Sequence, residues 1–428
     1  MKFYSTNRKS NPVNFQTALL TGLAADGGLY MPDVWPKIKN LTGKNQKFGN
    51  IALEILEKFI DIPGKELKGI IKNAFNFKVP LIKLGKNLYV LELFHGPTLS
   101  FKDFGARFMA RIMNYFLKKS SQKLNIIVAT SGDTGGAVAQ GFYGLSNIKV
   151  YVLYPSKRIS GLQEKQIATL GKNITALEVK GDFDDCQRLA KTALSDQELR
   201  RKINISSANS INIGRLLPQM VYYFWAYSQF KTLYPKPYTL NPTFIVPSGN
   251  FGNLAAGIFA KRSGLAIKKF IAAVNLNSGV PVYLKSGHLP KNKTIMTLSN
   301  AMDVGNPSNW ARILDLYGHN RRKIKRDLEA IMISETKTKK IIRDIYKKYN
   351  YVIDPHTAVG VAAALRQNQN EAKIVLATAH PAKFKNIVEK IIGVRIELPP
   401  TLRKIINKKK KSVILENNYA VLKKLLFH

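Results

Sequence analysis

Cysteine is nearly absent from the sequence, which contains one such residue, Cys186, in a chain of 428. A single cysteine excludes an intramolecular disulfide, and without a CxxC or HExxH pattern we expect no metal site. Long apolar runs are also missing. No stretch approaches the length of a membrane span, and the first residues lack a basic region followed by an apolar one. We therefore expect a soluble, cytoplasmic protein.

Acidic residues are scarce, with 27 Asp and Glu against 67 Lys and Arg, so the formal net charge is +40. Such a charge makes nucleic-acid binding one hypothesis. However, the lysines are spread along the chain, and the densest basic runs, 321–326 and 408–411, contain no aromatic residue that could stack on a base. We therefore expect a small-molecule partner rather than a nucleic acid or a membrane, in a monomer or homodimer.

The pattern of apolar residues changes near residue 90. Residues 1–90 are predicted to form a mostly helical N-terminal unit, because 48–60 and 65–75 have apolar residues at spacings of three and four. Residues 91–400 instead alternate short apolar strands with helices, which predicts a largely parallel α/β sheet covered on both faces. Residues 401–428 are expected to be a basic tail.

The alternating region is predicted in more detail. We predict strands over 125–130, 149–155, 174–181, 243–247 and 269–275, and a late strand and loop over 374–384. Helices are predicted over 137–144, 162–171, 182–202 and 320–350. Within the region, about 115–208 would form a smaller inner subdomain, and about 276–355 an irregular insertion.

Three segments share one design, an apolar strand followed by a short polar loop and a helix start. In parallel sheets ligands bind at such loops, and a helix N-terminus suits an anion. The first segment is VATSGDTGGAVA, whose glycines allow close approach to an anion and whose Ser131, Asp133 and Thr134 add side-chain contacts. A lone glycine-rich loop is equally typical of an ordinary tight turn.

The second segment, VPSGNFGNLAAG, has a five-residue loop that opens a helix, consisting of Gly249, Asn250, Phe251, Gly252 and Asn253. Consecutive backbone N–H groups in such a loop can surround an anion. Neither this loop nor the first contains GKS, GKT or GxGxxG. A P-loop or a dinucleotide-binding site is therefore not indicated.

The third segment, ISSANSINIGRLLPQ, places Asn209, Ser210 and Asn212 before a helix and Arg215 in its first turn. An arginine there is unfavourable for the helix dipole unless it faces an anion. The alternative is an exposed arginine on an ordinary capped helix.

Lys102 lies in HGPTLSFKDFGARF, between Phe101 and Phe104. A desolvated lysine is costly unless its ammonium is paired or reacts, so Lys102 either points to solvent or is chemically active. Two anion sites and a reactive lysine together favour pyridoxal 5′-phosphate (PLP), which has both an aldehyde and a phosphate. The two phenylalanines would then desolvate the amine and lower its pKa.

HGPTLSFKDFGARF also resembles the cofactor-lysine segment of the threonine synthases. Other segments resemble that family in the same order along nearly the whole chain: GLAADGGLYMP, SGDTGGAV, SANSINIGR, PSGNFGNLAAG, LSNAMDVGNPSNW and TAHPAKF. The resemblance implies a fold-type II PLP enzyme with two parallel-sheet α/β subdomains, related to the tryptophan-synthase β class. It implies that O-phospho-L-homoserine and water are converted to L-threonine and phosphate.

The resemblance also implies residue roles. Lys102 would bind PLP covalently and act in catalysis, Asp133 would lie near the phenolic oxygen of PLP, and Thr378 near its pyridine nitrogen. The implied contacts of the PLP phosphate are Gly249, Asn250, Phe251 and Asn253. The implied substrate-binding residues are Ser131, Thr134, Asn209, Ser210 and Arg215. Asn253 stands where an aspartate is expected in many relatives, and STNRKS replaces the family's Ser-Thr-Arg, so Arg8 is given no role.

Other hypotheses remain open at this point. A serine/threonine dehydratase or a cysteine synthase has the same fold, but its substrate has no γ-phosphate, so SANSINIGR would have no use. A basic nucleic-acid-binding protein on an enzyme fold is the alternative of a different class. The roles of His95, His356 and His380 are left unassigned.

Overall fold

The computed structural model describes residues 1–39, 46–233, 241–290 and 293–427. Its strands are β1 (Phe3–Ser5), β2 (Tyr30–Pro32), β3 (Leu81–Lys83), β4 (Leu88–Glu92), β5 (Leu124–Ala129), β6 (Ile148–Pro155), β7 (Ile174–Val179), β8 (Ile205–Ser207), β9 (Thr243–Pro247), β10 (Phe270–Val274), β11 (Leu328–Met332), β12 (Lys373–Ala377) and β13 (Val413–Leu415).

Its helices are α1 (Phe15–Thr21), α2 (Phe48–Leu56), α3 (Gly64–Ala74), α4 (Lys102–Ser120), α5 (Asp133–Phe142), α6 (Gly161–Ala168), α7 (Phe183–Ser195), α8 (Gln197–Lys202), α9 (Ile213–Leu233), α10 (Gly252–Arg262), α11 (Gly279–Ser286), α12 (Trp310–Leu316), α13 (Arg321–Asp327), α14 (Glu335–Tyr349), α15 (Pro355–Ala364), α16 (Lys385–Ile392), α17 (Pro400–Ile406) and α18 (Tyr419–Phe427). None of these helices, in the described ranges, is long and apolar enough to cross a membrane.

Two parallel sheets dominate the structure, as the alternation of strands and helices predicts. The larger has the order β11-β10-β9-β12-β4-β3, with only β3 antiparallel to its neighbour. The smaller has the order β13-β7-β6-β5-β8 and is parallel throughout. Every residue of β9, β10 and β12 is buried, since helices cover both faces of the larger sheet. Parallel order brings the carboxyl ends of the strands, and the loops that follow them, to one edge of each sheet.

The long apolar helix α9 is the element against which several other helices pack. It contacts α2, α4 and α10, and its side chains are buried along most of its length. Helix α2 packs on α9 and helix α3 packs on α4, so the N-terminal unit adds to the core beside the larger sheet. This unit also contains β1 paired with β2, and β3 and β4 already belong to the larger sheet.

Two predicted helix boundaries are wrong. The helix expected over 137–144 begins at Asp133, because the hydroxyl of Thr130 accepts hydrogen bonds from the backbone of Gly132 (2.9 Å) and Gly135 (2.8 Å) and stabilises an earlier first turn. The helix expected over 182–202 is two helices. Asp196 interrupts it because its side chain accepts from the backbone N–H of Leu199 at 3.0 Å and caps α8.

A third prediction of secondary structure is also wrong. The basic helix predicted over 320–350 is instead α13, β11 and α14, and β11 pairs with β10 at the edge of the larger sheet. The expected insertion, 276–355, thus contributes an edge strand to the larger sheet within its described part, which excludes 291–292. The expected tail 401–428 is also folded over its described residues. It contributes β13 to the smaller sheet, and α18 packs on α7. The unit boundaries at residues 90 and 400 stay predictions.

Candidate active site

A cleft lies at the carboxyl ends of the strands, with walls from both sheets. The twelve residues to which the resemblance gives a role all line it: Lys102, Ser131, Asp133, Thr134, Asn209, Ser210, Arg215, Gly249, Asn250, Phe251, Asn253 and Thr378. The side of the cleft formed by the smaller sheet is completed by α7, through Phe183, Gln187 and Lys191. The structure thus brings four separate chain segments together around one lysine.

Lys102 is the first residue of α4, and its side chain is only 13% exposed, which excludes the solvent-facing alternative. Its Nζ lies 3.5 Å from Oδ2 of Asp133 and 4.8 Å from the ring centroid of Phe101. Burial lowers the pKa of Lys102, Asp133 opposes this, and the cationic groups of Lys383 and Arg215 lower the pKa further. The amine is therefore more often neutral, and so more nucleophilic, than that of a surface lysine.

Only one of the two flanking phenylalanines shields Lys102. Phe101 lines the cleft, whereas Phe104 is buried in the core, where its ring contacts those of Phe75, Phe77 and Tyr222. On a helix, residues two positions apart point to different faces. The prediction that both aromatics desolvate the amine is therefore wrong for Phe104.

The turn before Lys102 is fixed by Asp103. Its carboxylate accepts from the backbone N–H of Thr98 at 2.9 Å and from the Thr98 hydroxyl at 2.7 Å. Gly96 is required here because a Cβ at that position would lie 2.8 Å from Cβ of Asp103. From the other side, the carbonyl of Thr378 accepts from the backbone N–H of Phe101 at 2.9 Å. The start of α4 is thus held against the end of β12.

Asp133 is shared by two lysines. Nζ of Lys383 lies 2.6 Å from Oδ1 of Asp133, on the opposite carboxylate oxygen from Lys102, and Nε2 of Gln163 donates to the same Oδ1 at 2.9 Å. Burial alone would raise the pKa of Asp133, but the ammonium groups of Lys383 and Lys102 outweigh it and hold the pKa well below its ordinary value. Asp133 is therefore a permanent carboxylate at the back of the cleft.

The segment 249–253 leads into α10 and forms its first two residues, with Phe251 in the left-handed conformation (φ 58°) as the helix N-cap. The backbone N–H groups of 249–253 donate to no acceptor in the described part of the chain. A Cβ on Gly249 would lie 2.6 Å from Cα of Met302, so only glycine allows the loop at 301–302 to approach this closely. The result is a set of free donors at a helix N-terminus, which suits a phosphate.

The side chains of the two asparagines in this loop are already occupied. Nδ2 of Asn253 donates to the carbonyl of Pro247 at 2.8 Å, and Nδ2 of Asn250 donates to Oγ of Ser210 at 2.9 Å. Both residues line the cleft, but what they offer an anion is chiefly backbone N–H. Asn253 has a structural use for its amide that an aspartate, which cannot donate to a carbonyl, would not reproduce.

Arg215 is only 3% exposed, so the alternative of an exposed arginine on a capped helix is wrong. Its Nη1 donates to the carbonyl of Ala208 at 2.5 Å, and its Nε has no partner among the described residues. Burial lowers the pKa of Arg215 to about 10, and Asp103 only partly opposes this. The helix α4 passes close by, since a Cβ on Gly105 would lie 2.6 Å from the carbonyl oxygen of Arg215.

Asn209 and Asn212 shape the loop that carries Arg215. The amide of Asn209 pairs with the backbone of Ala129, donating at 2.7 Å and accepting at 3.1 Å. Asn212 is fully buried, and its Oδ1 accepts from the backbone N–H of Gly214 at 2.9 Å at the start of α9. One N–H of the Asn209 amide stays unused by these bonds, so Asn209 can still donate into the cleft.

The three histidines left unassigned occupy different places. His356 lines the cleft, and its Nε2 accepts from the backbone N–H of Ala301 at 3.1 Å while Nδ1 lies 2.5 Å from Asp354. Its ring therefore holds the loop that approaches Gly249. His95 pairs with Glu92 at 2.6 Å, and His380 accepts from the backbone of Ala382 at 3.1 Å, so both have local structural partners.

Sequence reasoning missed several residues that support the cleft, chiefly Lys383, Asn309 and Arg312. Lys383 lies in TAHPAKF, Asn309 lies in LSNAMDVGNPSNW, and Arg312 follows that segment by two residues. The segments themselves were therefore recognised as resembling the family, but these residues were given no role. What the sequence did not show is that a lysine and an arginine among 67 basic residues are fully buried. Arg8, in contrast, pairs with Asp315 at 2.8 Å and is largely exposed.

Family models and relatives match nearly the whole chain. Residues 77–409 match the model of "Pyridoxal-phosphate dependent enzyme" and residues 2–75 that of "Threonine synthase N terminus". The threonine synthase of Haemophilus influenzae is 45% identical over 430 residues, covering 100% of this chain and 99% of that one. The chain belongs to the threonine synthase family.

Solved threonine synthases share the fold. The crystal structure of threonine synthase from Escherichia coli superposes with a TM-score of 0.92 at 41% identity, covering 100% of this chain and 99% of that one. The PLP-bound threonine synthase from Brucella melitensis gives a TM-score of 0.92 at 34% identity, with the same coverage. The threonine synthase architecture, a fold-type II PLP enzyme with two parallel-sheet parts, is therefore confirmed, along with its PLP dependence.

Proposed function

We propose that the protein converts O-phospho-L-homoserine and water to L-threonine and phosphate, with PLP as cofactor. The observation that carries the proposal is the pairing of a buried lysine with two separate groups of unused donors. One group is the backbone of 249–253 at the start of α10, and the other includes Arg215 at the start of α9. A phosphorylated cofactor and a phosphorylated substrate need one such group each.

The cleft fits PLP. Lys102 would hold the cofactor covalently, residues 249–253 would bind its phosphate, and Thr378 and Asp133 would lie near the pyridine nitrogen and the phenolic oxygen. When bound, PLP supplies an electron sink that stabilises negative charge at the substrate Cα and Cβ. A neutral hydroxyl at Thr378 makes this sink weaker than an acidic partner would.

Lys102 is the proton carrier of the site. Once its amine is free, it can take the proton from Cα, pass that proton to the cofactor and then take the proton from Cβ, because its lowered pKa favours the neutral base. Asp133 lies next to it but keeps its own counterion, Lys383. It therefore does not compete for the proton that Lys102 moves.

The substrate phosphate would be bound at the start of α9. The guanidinium of Arg215 and the hydroxyl of Ser210 would contact the phosphate and stabilise the charge that it carries away on elimination. Asn209 and Thr134 would add donors, and Ser131 in the neighbouring loop would bind the substrate carboxylate. Water then adds at Cβ, and Cγ, which has lost the phosphate, takes up the proton that Lys102 removed from Cβ.

A serine/threonine dehydratase is the alternative within the same fold. Its substrates carry no phosphate, so a buried Arg215 with an unused Nε would be a cost without a function. The assay that separates the two uses the PLP-loaded protein with O-phospho-L-homoserine, L-threonine and L-serine in parallel. We expect equal amounts of threonine and phosphate from the first substrate and little keto acid from the others. Keto acid from threonine without phosphate release would favour the dehydratase.

The charge of +40 does not by itself support a second function. The basic run 321–326 forms most of the short helix α13, in which Ile324 is buried. A gel shift at low salt with variants of this run tests nucleic-acid binding, and no shift would exclude it. A cytoplasmic location and a monomeric or homodimeric state also stay predictions.

A further inference from the structure

The hydroxyl of Ser210 lies between two amide groups. Nδ2 of Asn250 is 2.9 Å from Oγ of Ser210, and Nδ2 of Asn309 is also 2.9 Å from it. Asn250 precedes α10 and Asn309 precedes α12, so Ser210 joins the cofactor-phosphate loop to a segment that lies 99 positions after Ser210 in the chain.

The orientation of both amides is fixed by groups that can only donate. Oδ1 of Asn309 lies 2.5 Å from Nη1 of Arg312, and a guanidinium has donors but no acceptor. Oδ1 of Asn250 lies 2.5 Å from the backbone N–H of Ser308. In each amide the oxygen must face its donor, so the NH₂ group must face Ser210.

The hydrogen of the Ser210 hydroxyl is consequently directed elsewhere. A hydroxyl has two lone pairs and one hydrogen, and the two amides occupy both lone pairs. Ser210 lines the cleft, and its hydroxyl donates to no acceptor among the residues that the structure describes. Ser210 is thus a hydrogen-bond donor without an acceptor, in a cleft that Arg215 also lines.

Arg312 fixes the positions of Asn309 and Ser210, although burying its charged guanidinium is energetically unfavourable. It is fully buried without a carboxylate partner in the described residues, and burial lowers its pKa to about 9. Its other hydrogen bonds go to backbone carbonyls, from Nη1 to Ser210 at 3.2 Å and from Nη2 to Ile211 at 2.6 Å and Tyr30 at 3.3 Å. Arg312 therefore fixes both the backbone of the Ser210 loop and the amide of Asn309.

We propose that Asn309, oriented by Arg312, is a positioning residue that turns Ser210 into an obligatory donor for the substrate phosphate. A phosphate dianion offers only acceptors, so it matches a hydroxyl whose lone pairs are already used. The proposal rests on the proposed function, because it assumes that the anion at the start of α9 is the phosphate of the substrate. It adds Asn309 and Arg312 to the residues that determine specificity for a phosphorylated substrate.

The variant that tests this is Asn309→Asp. The carboxylate keeps the shape and accepts from Arg312, but it cannot donate, so the Ser210 hydroxyl would turn and donate to it instead. The substitution also removes the hydrogen bond from Nδ2 of Asn309 to the carbonyl of Asn250 at 3.0 Å. We expect KM for O-phospho-L-homoserine to rise on the order of 10- to 100-fold, as for the loss of a hydrogen bond to a charged group. We expect kcat and the absorption band of bound PLP to change little. Inhibition by inorganic phosphate should weaken by a similar factor.

Two controls separate positioning from added charge. Asn320→Asp adds a carboxylate at an exposed helix cap and should leave KM unchanged. In a Ser210→Ala background, Asn309→Asp should raise KM by no more than about twofold, because the hydroxyl it acts through is gone. An unchanged KM in Asn309→Asp, or an undiminished effect without the hydroxyl, would overturn the proposal. A wild-type protein that releases no phosphate would instead overturn the proposed function.

Discussion

Nζ of Lys383 lies 2.6 Å from Oδ1 of Asp133, and neither side chain is more than 2% exposed. Lys102 approaches the other oxygen of the same carboxylate at 3.5 Å. Two buried cations thus share one buried anion. The shorter pair keeps Asp133 ionised whatever the charge on Lys102, so Lys102 can gain and lose its proton without its neighbour changing state.

Replacing Lys383 by Met should raise the pKa of Lys102. The charged groups around Lys102 are Asp133, which raises its pKa, and Lys383 and Arg215, which lower it. In the protein stripped of PLP, the rate of PLP capture should increase with pH, with a midpoint below the ordinary 10.5 of lysine. In Lys383→Met this midpoint should move to higher pH, and in Lys383→Arg it should stay near the wild-type value. Equal midpoints in all three proteins would show that Lys383 has no electrostatic role.

Replacing Gly249 by Ala should weaken PLP binding. The new Cβ would lie 2.6 Å from Cα of Met302, so the loop at 301–302 must move away from the predicted phosphate site. We expect the dissociation constant for PLP to rise at least tenfold, as for the loss of one or two hydrogen bonds to a charged group. Gly161→Ala is the matched control, since a Cβ there meets nothing within 4 Å. Unchanged PLP affinity in Gly249→Ala would contradict the placement of the phosphate.

Replacing Arg215 by Ala should slow phosphate release strongly while the visible band of lysine-bound PLP persists. The lost contact is a charge-assisted hydrogen bond, so kcat/KM for O-phospho-L-homoserine should fall on the order of 10- to 100-fold or more. The kcat/KM of Arg215→Lys should lie between those of the wild type and Arg215→Ala, because lysine keeps the charge but not the planar guanidinium. Steady-state phosphate assays check this, and full turnover in Arg215→Ala would show that the substrate phosphate binds elsewhere.

The two phenylalanines beside Lys102 should behave differently. Phe104→Ala should lower the free energy of unfolding by about 3–5 kcal/mol, because its ring is buried among aromatic rings of the core. Phe101→Ala should lower the free energy of unfolding less. It should instead alter the reactivity of Lys102, because the Phe101 ring lies against the Lys102 ammonium. Denaturant titrations and PLP-capture rates measured on both variants separate the effects. The same loss of stability in both would contradict the assignment.

Local signals in the sequence were sufficient to find the cleft. Glycines next to a helix start mark loops where backbone must approach something closely, and both Gly249 and the segment around Asp133 lie at such points. The parallel architecture followed from buried apolar strands alternating with helices. These signals span only a few residues, so they can be read without knowing the fold.

The supporting residues could not be found in this way, because their partners are distant in the sequence. Asn309 contacts Ser210 across 99 positions, and no local pattern marks that pair. Likewise, the basic run 321–326 hides the neighbouring edge strand β11, and the lysines at 408–411 precede β13. The basic composition predicted a single helix in the first place and a tail in the second, while a few apolar side chains, such as Leu328 and Leu415, were enough to add a strand.

The central claim is that Lys102 carries PLP. Its most direct test is the absorption spectrum of the purified protein, followed by borohydride reduction and mapping of the labelled peptide. We expect a visible band that borohydride bleaches, the label on Lys102, and no band in Lys102→Ala. A wild-type protein that stays colourless after incubation with PLP, or a label on a different lysine, would contradict the account.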